Sequence, residues 1–286
     1  MVTVGNNLRP VRRSRLRQAL GRWAYGARRC LWWAFGGCRF ARTRARTPLE
    51  HLCMAHSTPL LRQLKGADMA LQRNKVVNLR IAAERLDGLL LRPGQVFSFW
   101  RLVGRPSATR GFLPGMTLHC GTVGAGVGGG LCQMTNLIYW MTLHTELTVL
   151  ERHRHSYDVF PDSNRMLPFG SGATCAWPHL DLMIRNDTMN TYQLRVRVGE
   201  HDLEGQWRCD DQPACRYEVV ERDARMCSEP WGGFSRHNTL IRRRLDTDGA
   251  LRGEELVTEN HALMMYAPFL TEGTLEQATV GQVDRQ

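Results

Sequence analysis

Gly128-Gly129-Gly130-Leu131-Cys132-Gln133 closes a glycine-dense run that begins at Gly121 and opens an apolar stretch reaching Glu146. How this junction is read decides the fold. Gly124-Ala125-Gly126-Val127-Gly128-Gly129 formally satisfies G-x-G-x-x-G, with a strand expected before it, a helix after it, and Glu151 at the end of the next strand. Taken alone, that is the skeleton of a dinucleotide-binding βαβ unit. The helix, however, starts after Gly130 and not within the motif, one such unit is visible, and no Gly-Lys-Ser/Thr follows. A stretch this rich in glycine meets the pattern by chance. The reading kept here is a turn that presents Cys132 at the N-terminus of a buried helix.

Working outward, residues 67–90 repeat apolar side chains at helical spacing: Leu71, Val76, Leu79, Ala82, Leu86, Leu89 and Leu90. Gln72, Arg73, Lys75, Arg80, Glu84 and Arg85 fill the other face, so an amphipathic helix packing on a domain is expected. Arg92-Pro93-Gly94 stops it. Val96 to Trp100 and Met116 to Val123 read as strands, residues 132–146 as the second main helix, and Thr148 to Leu150 as a short strand. His179 to Ile184 and Tyr192 to Val198 read as paired strands joined through the turn Asn186-Asp187. The polar, cysteine-bearing residues 209–255 read as a strand-rich appendage. The expected fold class is α+β: an antiparallel-rich sheet packed against two main helices. A basic, poorly ordered extension over residues 1–50 precedes a core over 51–200 and an appendage of the same domain over 201–286.

Charge is unevenly placed. Twelve arginines and no acidic residue precede Glu50, so this segment carries +12 of the formal +11 and the remainder sums to −1. The folded body is near neutral, which argues against nucleic acid as a partner. Residues 8–46 also hold Trp23, Tyr25, Trp32, Trp33, Phe35 and Phe40. They read as a basic tail, or as a segment lying on an anionic membrane surface. The apolar run from Cys30 to Cys38 is too short to span a bilayer and lacks the cleavage pattern of an export signal. Nine cysteines without a C-x-x-C pair read as free thiols in a reducing, cytoplasmic setting.

Some twenty residues past Cys132 lies a second cluster, Glu151-Arg152-His153-Arg154-His155-Ser156. A thiol at a helix N-terminus is favoured as thiolate by the free N–H groups and the dipole. A nearby histidine can take its proton. Cys132 is thus the candidate nucleophile and His153 or His155 the base, with Asp158, Asp162 or Asp181 orienting the imidazole. Gly128, Gly129, Gly130, Gln133, Arg152 and Ser156 are expected to line the substrate. The order Cys, His, Asp is that of papain-like and transglutaminase-like enzymes. A second reading sets Cys132, His153 and His155 with a carboxylate around zinc, as in a hydrolase. A third takes the cysteine as a small core residue and the cleft as a non-enzymatic binding module. No resident cofactor is called for.

These residues carry a family resemblance. Pro93-Gly94-Gln95-Val96-Phe97-Ser98-Phe99-Trp100, Val103-Gly104, Gly128 to Gln133, Glu151 to Ser156, Leu180-Asp181-Leu182 and Arg185-Asn186-Asp187-Thr188 resemble the VanW family. Asn74 to Ala82 extends the match upstream. Trp231-Gly232-Gly233, Arg236-His237-Asn238 and Thr258 to Ala262 are similar to its short, single-domain members. The resemblance spans roughly residues 55–270. It implies a cell-wall and glycopeptide-resistance association, with a peptidoglycan precursor as the natural ligand class, and implies no particular reaction. Longer members carry Gly-Arg-Asp-Ala-Thr where this chain has Gly170-Ser171-Gly172-Ala173-Thr174, so Gly172 stands in place of an aspartate.

Overall fold

A computed structural model describes residues 14–61, 68–119, 122–154, 157–158, 167–230 and 232–266. In chain order the elements are α1 (Arg15–Phe35), β1 (Arg39–Phe40), β2 (His51–Pro59), α2 (Met69–Leu86), β3 (Leu89–Leu91), β4 (Gln95–Ser98) and α3 (Phe99–Val103). The hairpin β5 (Pro114–His119) and β6 (Thr122–Val127) follows, then α4 (Cys132–Thr142), β7 (Thr148–Glu151) and β8 (Tyr157–Asp158). The chain ends in β9 (Met183–Arg185), β10 (Tyr192–Val198), β11 (Asp202–Cys209), β12 (Arg216–Ser228), β13 (Phe234–Leu245) and β14 (Leu251–Met264).

Four sheets form, with strand orders β1-β4-β9-β7, β2-β11-β10-β3, β12-β13-β14-β8 and β5-β6. Among the described residues only β1 with β4 and β14 with β8 pair in parallel. The class is α+β, antiparallel-rich, with α2 and α4 as the helices of the core. Leu79, Ala82 and Leu86 of α2 and Leu137, Ile138 and Met141 of α4 pack with Tyr192, Leu194 and Trp207 in one apolar cluster. Gly205 on β11 lets α4 lie close, because a Cβ there would sit 2.6 Å from the Met141 methyl.

Several local expectations change. Val96 to Trp100 is not one strand: β4 stops at Ser98, whose hydroxyl accepts from the Arg101 amide and caps α3. The strands around Asn186 do not pair with each other, since β9 joins β4 and β7 while β10 joins β3 and β11. Buried Asn186 makes this crossover. Its amide donates to the carbonyls of Leu91 and Asn190, and its oxygen accepts from Thr188. Gln72 and Lys75, placed on the solvent face of α2 by periodicity, are buried. Lys75 lies against Gly130 of the turn before α4, a contact that the periodicity of α2 cannot see.

That hairpin replaces the phosphate loop. Gly124 and Gly126 lie in β6, antiparallel to β5, so the segment before α4 is no βαβ unit. Residues 128–131 then turn tightly into α4, with Gly128 and Gly130 at φ of +80° and +88°.

From Ser14 the basic extension is part of the fold. β1 continues the sheet of β4, Ala41 is buried, and α1 lies against the β7–β9 edge through contacts given below. Residues 1–13 lie outside the described residues.

Candidate functional site

Cys132 is the first residue of α4, with Leu131 at the cap. Its surroundings come from residues 170–176, which run along the start of this helix. Two side chains of α4 clamp that segment. Thr135 donates to the Ala173 carbonyl at 2.6 Å, and the Asn136 oxygen accepts from the Ala173 amide at 2.6 Å. Gly172 permits the approach, since a Cβ there would lie 2.9 Å from the Asn136 oxygen. Arg152 holds the same segment from the other side, donating to the carbonyls of Gly170 and Gly172.

The clamp sets Thr174 and Cys175 over the thiol. Cys132 Sγ lies 3.4 Å from Thr174 Oγ1 and 3.9 Å from Cys175 Sγ, which donates to it, and 3.7 Å from the Cys175 carbonyl. Burial pushes the Cys175 thiol well above its ordinary value, and the hydrogen bond to Cys132 pushes the same way. Cys175 therefore keeps its proton and serves as a standing donor to the half-buried sulfur of Cys132. This donor favours negative charge on Cys132, while the Cys132 thiol itself donates to the Cys175 carbonyl and the amides of the first turn are paired within the helix.

His153 reaches the same place through the backbone: its carbonyl accepts from the Thr174 amide at 2.8 Å. Its imidazole Nε2 meets Glu151 Oε1 at 2.9 Å. The two residues are two apart on an extended segment, so both point to one face. Arg29, from α1, grips both Glu151 oxygens at 2.6 and 2.7 Å. The Asp181 amide gives Glu151 Oε1 a further bond at 3.1 Å. Burial alone would raise the Glu151 carboxyl, but the bonds from His153, Arg29 and the Asp181 amide outweigh it and bring it down to about 2.

Asp181 sits next to this pair but is engaged elsewhere. Its oxygens accept from Ser98 Oγ at 2.6 Å, the Trp100 amide at 3.0 Å and the Leu182 amide at 2.9 Å. Burial still raises it to about 6. Its side chain thus ties β4 and α3 to residues 180–182, while the carboxylate on the imidazole is that of Glu151. Beyond Glu151 a cavity of about 360 Å³ opens between α1 and the β7–β9 edge, lined by Tyr25, Arg29, Glu151 and His179 among others. Burial and the charges of His153 and Arg29 lower the His179 imidazole, whose buried Nδ1 has no partner among the described residues.

The remaining expected site residues fall in three groups. His155, Ser156 and Asp162 lie outside the described residues, and Asp158, in β8, pairs with β14 and accepts from Tyr266. Gln133 ties α4 to β2, donating to Thr58 Oγ1 and the Pro59 carbonyl. The glycines face protein atoms. A Cβ on Gly128 would meet Pro106 at 2.5 Å, on Gly129 the Gly115 carbonyl oxygen at 2.2 Å, and on Gly130 the Lys75 chain at 2.2 Å. Their smallness serves the packing of the turn on the hairpin and α2, where Asn78 bonds the Gly129 carbonyl at 2.9 Å. The amides of Gln133 and Met134 already donate to Gly130 and Leu131. No three His, Cys, Asp or Glu side chains gather at metal-ligating spacing among the described residues. The sequence pattern assigns no role to Thr174, Cys175 or His179, and places Glu151 in the histidine cluster without pairing it to His153. The i, i+2 spacing of Glu151 and His153 was the available signal.

Most of the residues of this arrangement lie in a region that resembles known proteins. Residues 74–208 match the family described as VanW like protein. The vancomycin B-type resistance protein VanW of Enterococcus faecalis is 38% identical over 198 residues, covering 69% of this chain and 72% of that protein. The chain belongs to the VanW family. An uncharacterized protein of Bacillus subtilis, YoaR, is 25% identical over 145 residues, 50% of this chain and 46% of its own length. No solved structure matches. The VanW-like region takes in Cys132, Glu151, His153, Thr174, Cys175 and Asp181, whereas α1 with Arg29 and most of the β12–β14 sheet fall outside it.

Proposed function

We propose that this VanW-family protein performs thiol-based acyl chemistry on an amide of a peptidoglycan-related precursor, and shares the vancomycin-resistance association named for its Enterococcus relative. Cys132 is the nucleophile in this reading. The observation that carries it is the pair of side chains over the sulfur: Thr174 Oγ1 at 3.4 Å and the Cys175 thiol at 3.9 Å, at the first turn of α4. A buried structural cysteine has no need of a second, permanently protonated thiol as donor.

The thiolate attacks the amide carbonyl, a C–S bond forms, and the C–N bond breaks as the departing amine takes a proton from the imidazolium. Water then cleaves the thioester, giving acid and free thiol. His153 or His155 supplies and recovers the proton. For His153 the orienting group is Glu151 on Nε2; in this reading the proton passes to and from Cys132 through Nδ1. The low value of Glu151 suits that role, because it stays ionised and stabilises an imidazolium without taking its proton.

Incubation of the purified chain with muramyl-type peptides, followed by intact mass analysis, tests the proposal. A peptide-acyl adduct on Cys132, absent in Cys132→Ser, is expected. Tight peptide binding with no adduct and no cleavage, unchanged in Cys132→Ser, would favour a binding module instead.

A further inference from the structure

α1 has two faces with opposite occupations. Tyr25, Arg29 and Trp33, four residues apart, form the inner face. Tyr25 stacks on His179, Arg29 grips Glu151, and Trp33 packs on Trp177. Gly26 allows the close approach, because a Cβ there would meet Pro178 at 3.2 Å. The helix is therefore fixed in rotation about its axis. At 100° per residue, Leu16, Leu20, Trp23 and Leu31 fall in one stripe on the other side, with Phe35 at its edge. All are open to solvent: Leu16 is 71% exposed, Trp23 74% and Phe35 83%. A stripe of large apolar side chains along a helix, turned away from the body that holds it, marks an interaction surface.

The charge around the stripe says what meets it. α1 contains five arginines and no acidic residue, and no acidic residue occurs before Glu50. Arg17 and Arg28 each stand three residues before a stripe leucine, Leu20 and Leu31, and both are exposed. A protein partner or second copy would have to cover this much positive charge without help from any carboxylate of the segment. Anionic phosphates at a bilayer surface complement it directly, with the aromatic and leucine side chains in the acyl boundary and guanidinium groups at headgroup level. No helix among the described residues is long and apolar enough to cross a membrane, so contact through α1 is parallel to the surface.

We propose that the outer face of α1 is a docking surface for an anionic lipid bilayer, which the helix meets lying flat while its inner face covers the Glu151–His153 pair. This stands apart from the acyl chemistry and reads out on lipid alone.

The full chain is sedimented with vesicles of phosphatidylcholine, or of equal parts phosphatidylcholine and phosphatidylglycerol. Binding to the mixed vesicles only is expected, falling with added salt. Trp23→Asp with Leu31→Asp should lower the bound fraction at least about tenfold while the melting temperature holds. Met189→Asp, at an apolar side chain 89% exposed elsewhere, should change nothing. Equal binding to both vesicle types, binding to neither, or binding indifferent to the double substitution would overturn the proposal. So would a lipid-free dimer that the double substitution converts to monomer, which would assign the stripe to a second copy.

Discussion

Glu151→Gln keeps the size of the side chain and removes its charge, and the consequence can be worked from the geometry. Glu151 accepts two bonds from Arg29, one from His153 and one from the Asp181 amide. Its carboxyl stands at about 2 against 4.5 in an unfolded chain. Taken in full, that difference corresponds to roughly 3 kcal/mol of folding free energy. A fifth of the side chain is open to solvent, and Arg29 arrives on a surface helix, so screening reduces the figure to about 2 kcal/mol. The folded value lies below the unfolded one, so this stabilisation is complete above about 4.5 and drains away as pH falls toward 2. Glu151→Gln should therefore melt roughly 4–8 °C below the parent near neutral pH. The gap should narrow steadily as the pH is brought down to about 3. Thermal melting followed by circular dichroism at both pH values measures it. No gap near neutrality, or a gap of the same width in acid, would refute the assignment of Glu151 as the ionised centre of the Arg29–His153 contact.

Four further substitutions, at three positions, probe the frame around the site. Gly129→Ala would press a methyl group to 2.2 Å from the Gly115 carbonyl oxygen, backbone against backbone, and is expected to abolish soluble folded protein. Gly126→Ala, whose Cβ would meet the Thr117 side chain, its methyl at 3.1 Å, should fold with a modest loss, as expression and thermal melting will show. Asp181 is the reverse of Glu151: burial raises it to about 6 from 3.8, so its charge costs stability that develops as pH rises between those values. Asp181→Asn should hold or raise the melting temperature near neutral pH. Asp181→Ala, which strips the acceptor from Ser98, Trp100 and Leu182, should cost about 3 kcal/mol by urea unfolding.

What the sequence disclosed follows from the range of the forces involved. α2 and α4 were legible because apolar spacing along a helix is local. The spans of β7 and β10 were legible for the same reason. The Asn186 crossover was not, because a turn signal says where the chain bends and not which sheet receives it. The glycine run met a phosphate-loop pattern only formally, because a missing Cβ records that something comes close and not what it is; around Gly128, Gly129 and Gly130 that something is Pro106, Gly115 and Lys75. Cys132 and His153 stood out as residue types in dense clusters. Thr174 and Cys175 could not, since contacts of Thr135, Asn136 and Arg152 bring them to the thiol from some forty residues away. Arg29 was read as part of a basic tail, because a bidentate contact to Glu151 across 122 residues leaves no trace in local composition.

The account turns on Cys132 being an activated thiolate. Its rate of alkylation by iodoacetamide, followed by peptide mass analysis across pH, measures this directly. A half-reaction pH clearly below the roughly 8.5 of a free thiol is expected, moving upward in Cys175→Ala as the donor at 3.9 Å is lost. A midpoint at or above that of a free thiol, unmoved in Cys175→Ala, would contradict the account and leave Cys132 a structural residue.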